Sequence, residues 1–318
     1  MMDLVFCGTP EFAVPSLKRV AEAGHRIHLV VTQPDRPRGR GLEVAASPVK
    51  QAALELKLQL AQPESIKENK EFRIQLEKLR PQAVVVVGYG RIIPEWMLEL
   101  PPHGNINLHA SLLPKYRGAA PIQWAIANGE TVTGNTTIRL NEGLDTGDIL
   151  LQHEETIGPD DTAITLAPRL AARGAELLVE TLRRLEVGDL KPVPQDHSRA
   201  TLVPILTKND ARMDFSGSAQ QLYDRWRGFQ PWPGAYTFFR GKTVSVPRMR
   251  IAENLTGLAH GEAVADKGRL LAGCGGGSVI ELLEVQPEGK KKMSAKDFIN
   301  GHHPRPGEKF GTPEGVAV

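Results

Sequence analysis

Residues 83–87 read Ala-Val-Val-Val-Val, an apolar run without a single polar interruption. A strand with one solvated face alternates apolar and polar residues. An unbroken run of this length belongs to a strand covered on both faces, as in a parallel sheet flanked by helices. The surrounding segments fit that plan. Residues 4–7 form a short apolar strand that runs into the turn Gly8-Thr9-Pro10. A helix is expected over 11–23, with Gly24 as its stop, and a second strand over 27–31. Ser47-Pro48 has the pattern of an N-cap followed by proline at the first helical position, opening a helix through Leu56. A further strand is expected at 106–109 and a long helix over 162–185. Strands alternating with helices predict an α/β fold with a doubly wound, Rossmann-like, mostly parallel sheet.

The texture changes after this. Residues 188–195 are polar and proline-rich, the composition of a linker. Beyond about Ile205 the apolar segments are short and separated by glycines, as at 236–239, 244–246, 261–264 and 279–283. Such a pattern predicts a small barrel or sandwich. The expected organisation is a first domain over 1–188, a linker over 189–205 and a smaller β domain over 206–318. A chain of 318 residues has the length of about two domains.

Several classes are disfavoured. No run approaches the ~20 apolar residues that span a bilayer. The N-terminus lacks a basic segment and a small-residue cleavage site, so a cytoplasmic protein is expected. Cys7 and Cys274 are too few for a disulfide framework or a four-ligand zinc site. The first turn, Gly8-Thr9-Pro10-Glu11-Phe12, lacks the glycines that let a backbone approach a pyrophosphate, and no phosphate-binding G-x-x-x-x-G-K-[ST] occurs. NAD and ATP are therefore not expected. The net charge of +2 divides unevenly: residues 1–188 carry −2 and residues 189–318 carry +4. A mild excess of positive charge in the second part is compatible with a polyanionic partner.

The stretch that carries chemistry is Asn105-Ile106-Asn107-Leu108-His109-Ala110-Ser111-Leu112-Leu113-Pro114. Side chains alternate along a strand, so Asn107 and His109 share one face and Leu108 packs on the other. Packing gives an apolar strand no reason to place Asn and His together. His109 also ends its strand, and open parallel sheets bind ligands beyond their carboxyl ends. A lone histidine there would more often be a satisfied core residue; the Asn-x-His pair favours function. A carboxylate could come from Gly143-Leu144-Asp145-Thr146-Gly147-Asp148, where two glycines imply a tight loop. Spacing alone does not choose between Asp145 and Asp148.

These motifs, with Tyr116-Arg117-Gly118-Ala119-Ala120-Pro121-Ile122, resemble the signature of the 10-formyltetrahydrofolate-dependent formyltransferase family. The resemblance extends over nearly the whole chain, through Phe6-Cys7-Gly8-Thr9-Pro10, Gln33-Pro34-Asp35-Arg36-Pro37 and Val86-Val87-Gly88-Tyr89-Gly90. In the second half it is carried by Phe229-Gln230-Pro231-Trp232-Pro233-Gly234 and Gly289-Lys290-Lys291-Lys292-Met293, which narrow it to the branch whose acceptor is initiator methionyl-tRNA. Two departures are small: Asn135 stands where the family often has a small or apolar residue, and the tail beyond Phe310 matches weakly.

The resemblance implies transfer of a formyl group from 10-formyltetrahydrofolate to an α-amino group. It makes Asn107, His109 and Asp145 the catalytic residues, the first two as hydrogen-bond donors to the developing oxyanion and Asp145 as the group that orients His109. It places Arg91, Ile92, Ile93 and Ser111, Leu112, Leu113, Pro114 along the folate slot, although plain core packing would account for some of the apolar ones. It makes the second domain OB-like, a barrel type often used for nucleic acid. The loop of residues 34–41 is expected to reach the tRNA through Arg36, Arg38 and Arg40, with Lys290, Lys291 and Lys292 as phosphate contacts. No metal, no membrane and a monomer are expected. The competing readings are a folate-dependent formyltransferase acting on a small amine, a formyltetrahydrofolate hydrolase, and an RNA-binding protein without catalysis.

Overall fold

The computed structural model describes residues 1–38 and 43–311, and the side chains of these except 37, 38, 43 and 44. Contacts divide the chain into two compact units. The first comprises Met1–Pro121, Val132–Thr156 and Thr165–Pro204; the second comprises Ile122–Thr131, Ile157–Ile164 and the chain from Ile205 onward.

The first unit is built on a seven-stranded sheet. Its strands are β1 (Asp3–Gly8), β2 (Arg26–Val31), β3 (Leu60–Ala61), β4 (Ala83–Val87), β5 (Asn105–His109), β6 (Val132–Arg139) and β7 (Ile149–Thr156). The order across the sheet is β7-β6-β5-β4-β1-β2-β3. The five strands from β3 to β5 are parallel, and β6 and β7 are antiparallel additions at one edge. Both faces are covered. Leu4, Phe6, Val85, Ile106 and Leu108 pack with Leu178 and Leu182 of the long helix α4 (Ala163–Glu186), while Val5, Cys7, Val84 and Val86 pack with Phe72 and Leu76 of α3 (Lys70–Leu79). Ser47 caps α2 (Pro48–Glu55) by accepting from the Lys50 N–H at 3.1 Å, as its sequence predicts. The first expected helix begins as a 3₁₀ turn over Glu11–Ala13 and continues as α1 (Val14–Glu22).

The strand order reverses at β1, because the chain goes from β1 to β2 on one side and returns to β4 on the other. Crevices at such points, outside the carboxyl ends of the strands, are the usual ligand sites of open α/β sheets. The neighbouring strands β1, β4 and β5 end there at Gly8, Val87 and His109.

Of the stretch 189–205 expected as a linker, residues 189–204 pack with the first unit. Val193 bridges Ile149, Gln195 is buried, and Leu202 and Val203 pair in parallel with Arg117 and Gly118. The second unit, in turn, draws on residues from inside the first half. Arg227 and Asp224 form a buried ion pair at 2.7 Å, and the Arg227 guanidinium also donates to the carbonyls of Gly158 and Asp161. Trp124 meets Phe229 edge-on at 5.2 Å.

The second unit's sheet runs β8 (Tyr236–Phe239), β9 (Lys242–Ile251), β12 (Val279–Pro287), β11 (Arg269–Gly273), β10 (Ala263–Asp266), with β13 (Met293–Ser294) paired to β12. Its neighbours along this path are antiparallel. Residues 309 and 310 bridge both edges: Phe310 pairs with Phe239 of β8, and Lys309 with Glu262 beside β10. The exposed backbone edges are thereby joined, as in a small barrel. The Arg240 guanidinium grips Glu308 with two bonds of 2.8 Å and pulls its carboxyl down to about 2. Phe310 is 3% exposed and packs on Phe239, at 5.2 Å between ring centres, and on Phe215 and Phe298. Truncating a buried phenylalanine costs about 3–5 kcal/mol. Phe310→Ala should therefore lower the stability of the second unit by that amount in urea unfolding followed by Trp fluorescence; a loss below about 1 kcal/mol would show that residues 309–310 do not close the sheet.

Candidate active site

Strand β5 sits between β4 and β6, covered on both faces, and all five of its residues are buried. Ile106 and Leu108 take the face turned to α4, so Asn105, Asn107 and His109 share the opposite one. Each polar group buried there must find a partner or serve as a site. Asn105 spends its amide on the carbonyls of Met97 and Leu98, at 2.8 and 3.2 Å. Asn107 is 8% exposed, and its side chain has no hydrogen-bond partner among the described residues. His109 is 7% exposed, and its Nε2 lies 2.8 Å from the Tyr116 carbonyl. A carbonyl only accepts, so Nε2 carries the proton there. The other ring nitrogen, Nδ1, faces Asp145 Oδ2 at 3.7 Å. Of the two aspartates, Asp145 is the one turned to His109.

The loop carrying Asp145 joins β6 to β7. Asn141 starts it by accepting from the Gly143 N–H at 3.1 Å and the Thr146 hydroxyl at 2.8 Å. Asp145 has φ of +51°, a left-handed conformation that aspartate tolerates better than most side chains. Gly147 lies so close to β6 that a Cβ would fall 1.8 Å from the Arg139 carbonyl oxygen, so only glycine fits. The Asp145 carboxylate accepts from the Gly118 N–H at 2.8 Å. Gly118 has φ of +103°, and a Cβ there would lie 2.6 Å from the Val203 carbonyl oxygen. The strand pairing of 117–118 with 202–203 fixes that amide in place.

The remaining residues expected at the site divide. Ser111 is buried and donates to the Lys115 carbonyl at 2.7 Å. The Leu113 N–H donates to Thr136 and its carbonyl accepts from Gln152. Leu113 and Ile93 are buried, Leu112 and Pro114 half-buried. Ile92 stands 88% exposed after the carboxyl end of β4. Arg91 donates to the Glu64 carbonyl. Within the expected arginine loop, Arg36–Arg38 pair antiparallel with Glu43–Ala45. Its base is tethered by Asp35, whose carboxyl is held below the usual range by Lys50 first and Gln62 second. Arg36 is exposed; Arg40 and the Arg38 side chain lie outside the described residues. Lys290, Lys291 and Lys292 are exposed on the second unit, with Lys292 paired to Glu284 at 2.8 Å.

Sequence reasoning missed Thr136 and Gln195. The Thr136 hydroxyl donates to the Ser111 carbonyl at 2.7 Å and accepts from the Leu113 N–H and the Gln152 amide, at 3.1 and 2.9 Å. It lies opposite His109 across the ladder. The available signal was the run Thr133 to Thr137, polar yet set between apolar strands. Asn135, the departure from the family pattern, is buried in the same strand and bonds the Leu170 carbonyl of α4 at 3.0 Å. Among the described residues no three His, Cys, Asp or Glu side chains gather as a metal site, and no helix is long and apolar enough to cross a membrane. Both cysteines are buried, and burial pushes both thiols up, Cys274 to about 11.

Residues 2–182 match the formyl transferase family, and residues 205–303 match the formyl transferase C-terminal domain. The chain belongs to the formyl transferase family. It is 60% identical over 310 residues to the methionyl-tRNA formyltransferase of Koribacter versatilis (strain Ellin345), covering 98% of this chain and 99% of that one. It is 58% identical to the methionyl-tRNA formyltransferase of Acidobacterium capsulatum over 98% of this chain and all of that one. Among solved structures, the N-formyltransferase from Helicobacter canadensis in complex with folinic acid and dTDP-3-aminofucose has a similar fold. Its TM-score is 0.65 at 18% identity, covering 90% of this chain and 100% of that chain.

Replacing Thr136 by Val keeps the shape and leaves the buried Leu113 N–H and Ser111 carbonyl without their partner. Thr136→Val should lower the stability of the first unit by about 1–3 kcal/mol in chemical unfolding; an unchanged midpoint would show that water or another group already serves them.

Proposed function

We propose that this chain transfers the formyl group of 10-formyltetrahydrofolate to the α-amino group of initiator methionyl-tRNA, giving N-formylmethionyl-tRNA for translation initiation. The observation that carries the acceptor is the 60% identity, over almost the full length of both chains, to a methionyl-tRNA formyltransferase. The site geometry supports the reaction class. Attack of a neutral amine on the formyl carbon puts negative charge on its oxygen and a surplus proton on the nitrogen. An α-amino group titrates near 7.7–8.0, so the attacking form is plentiful near neutral pH.

The Asn107 amide, buried and without a partner among the described residues, serves as the donor to that oxygen. His109 and Asp145 form the proton-handling pair. Both ring nitrogens of His109 face acceptors, the Tyr116 carbonyl and the Asp145 carboxylate, which fixes the orientation of the ring. Asp145 orients the ring and takes part in moving the amine proton toward the departing folate nitrogen. The mechanism uses no covalent intermediate. Folate binding is assigned to the segments around Arg91 and Ser111. Ile92 and Leu112 supply the apolar walls, since Ile93 and Leu113 are buried in the protein. The presence of folinic acid in the Helicobacter canadensis neighbour supports a folate in this fold.

The tRNA is assigned to the arginine loop with Arg36, Arg38 and Arg40, and to Lys290, Lys291 and Lys292 of the second unit. The exposed, like-signed side chains of Arg36, Lys290, Lys291 and Lys292 suit phosphate contacts. The enzyme acts in the cytoplasm as a monomer on this reading.

The test supplies purified protein with 10-formyltetrahydrofolate and either charged initiator tRNA or free small amines. Formyl-methionyl-tRNA should form; formylation of small amines alone, or formate release without an acceptor, would overturn the reading. In the same assay His109→Ala should lose about 10²- to 10⁴-fold in turnover with tRNA binding intact, and near-normal turnover would remove His109 from the mechanism. Arg40→Ala should raise KM for the tRNA while leaving KM for the folate unchanged; an equal rise in both would count against the loop as a tRNA contact.

A further inference from the structure

The geometry points to Gln195 as a positioning residue that sets the Asp145 loop for catalysis; the catalytic part rests on the function proposed above. Gln195 lies in the stretch whose composition reads as a linker, yet it is 6% exposed and every hydrogen-bonding direction of its side chain is used. Its two amide protons go to the carbonyls of Asp145 and Gly147, at 2.8 and 2.7 Å. Its oxygen accepts two bonds from Arg117, from Nε at 3.1 Å and Nη2 at 2.7 Å. The orientation of the amide is fixed by its partners, because carbonyls only accept and a guanidinium only donates. Arg117 is itself buried, and its Nη2 also bonds His197 Nδ1 at 3.0 Å.

The position of this clamp matters more than its strength. The two carbonyls it holds flank Thr146, within the turn that gives Asp145 its left-handed backbone. The β6 backbone blocks the loop on one side at Gly147, and Gln195 binds it from another direction. The same downstream segment, through Leu202 and Val203, also places the Gly118 N–H that binds the Asp145 carboxylate. Residues 195–203 therefore hold both the backbone and the side chain of the aspartate that faces His109. Without the amide, the loop keeps its sequence and its glycines but loses the contact that selects one of its conformations. A displacement of about 1 Å in a group of this kind costs on the order of 100-fold in rate.

Gln195→Met keeps the length and removes the donors and the acceptor. Gln195→Glu keeps the shape and the bond to Arg117 but sets a carboxylate against two carbonyls. In either variant, at a temperature where it is folded, kcat should fall on the order of 100-fold with KM for the folate and for the acceptor unchanged. Backbone amides of residues 143–148 should exchange with solvent faster than in the wild type. A residue needed only for folding would lower the melting temperature and leave kcat per folded molecule intact; that result in either variant would overturn the proposal. In the wild type the Gln195 side-chain amide protons should exchange slowly, and exchange at the solvent rate would overturn it even if neither variant folds. The variants are compared on whichever acceptor the wild type formylates. Failure of the wild type on methionyl-tRNA would thus refute the proposed acceptor without bearing on Gln195.

Discussion

Burial on both faces of the central sheet is the constraint from which the site follows. A strand in that position has helices or loops above and below it, and a polar side chain there must be paired by protein or held for a ligand. On β5 three polar residues share one face, and the structure gives each a different solution. The Asn105 amide donates to two carbonyls while its Oδ1 has no partner, His109 meets one carbonyl with a carboxylate nearby, and Asn107 meets no partner among the described residues. The series runs toward the carboxyl end of the strand, where the strand order reverses and an open crevice is allowed. Position in the sheet thus sets Asn107 and His109 nearer the open end of the strand than Asn105.

The carboxylate that completes the group comes from a loop rather than from the sheet, and a loop must be held. The backbone at Asp145 is in a region that costs a non-glycine residue of order 1–3 kcal/mol. Three hydrogen bonds from outside the loop, two from Gln195 and one from Gly118, offset it at roughly 1 kcal/mol each. The two terms are of similar size, so the loop is held in one arrangement without a large surplus of stability.

Much of this was legible in the sequence. The Val84 to Val87 run announced a two-faced strand, Ser47-Pro48 announced a capped helix, and the alternation in 105–109 placed Asn107 and His109 together. Strand β6 was not legible, because it buries Thr133, Asn135, Thr136 and Thr137, whose burial depends on hydrogen-bond partners far along the chain. The choice between Asp145 and Asp148 needed the loop conformation, which glycine spacing suggests but does not fix. The docking of residues 189–204 on the first unit was not legible in the stretch read as a linker over 189–205 for a related reason. A polar, proline-rich stretch looks the same whether it is solvated or docked, and the partners of Gln195 lie some fifty and eighty residues upstream, at 145–147 and 117. The second unit recruits residues 122–131 and 157–164, a pattern no single cut in the sequence could express.

On the function proposed above, His109 and Asp145 act as one unit rather than as two independent contributors. Groups that act as a unit show strongly non-additive losses. The direct measurement is a double-mutant cycle on kcat for formyl transfer, using His109→Asn, Asp145→Asn and the pair together, each checked for folding. If the two residues form one proton-handling pair, the double variant should be no slower than the slower single variant. If the two losses instead multiply, His109 and Asp145 contribute separately and do not form a single proton-handling pair.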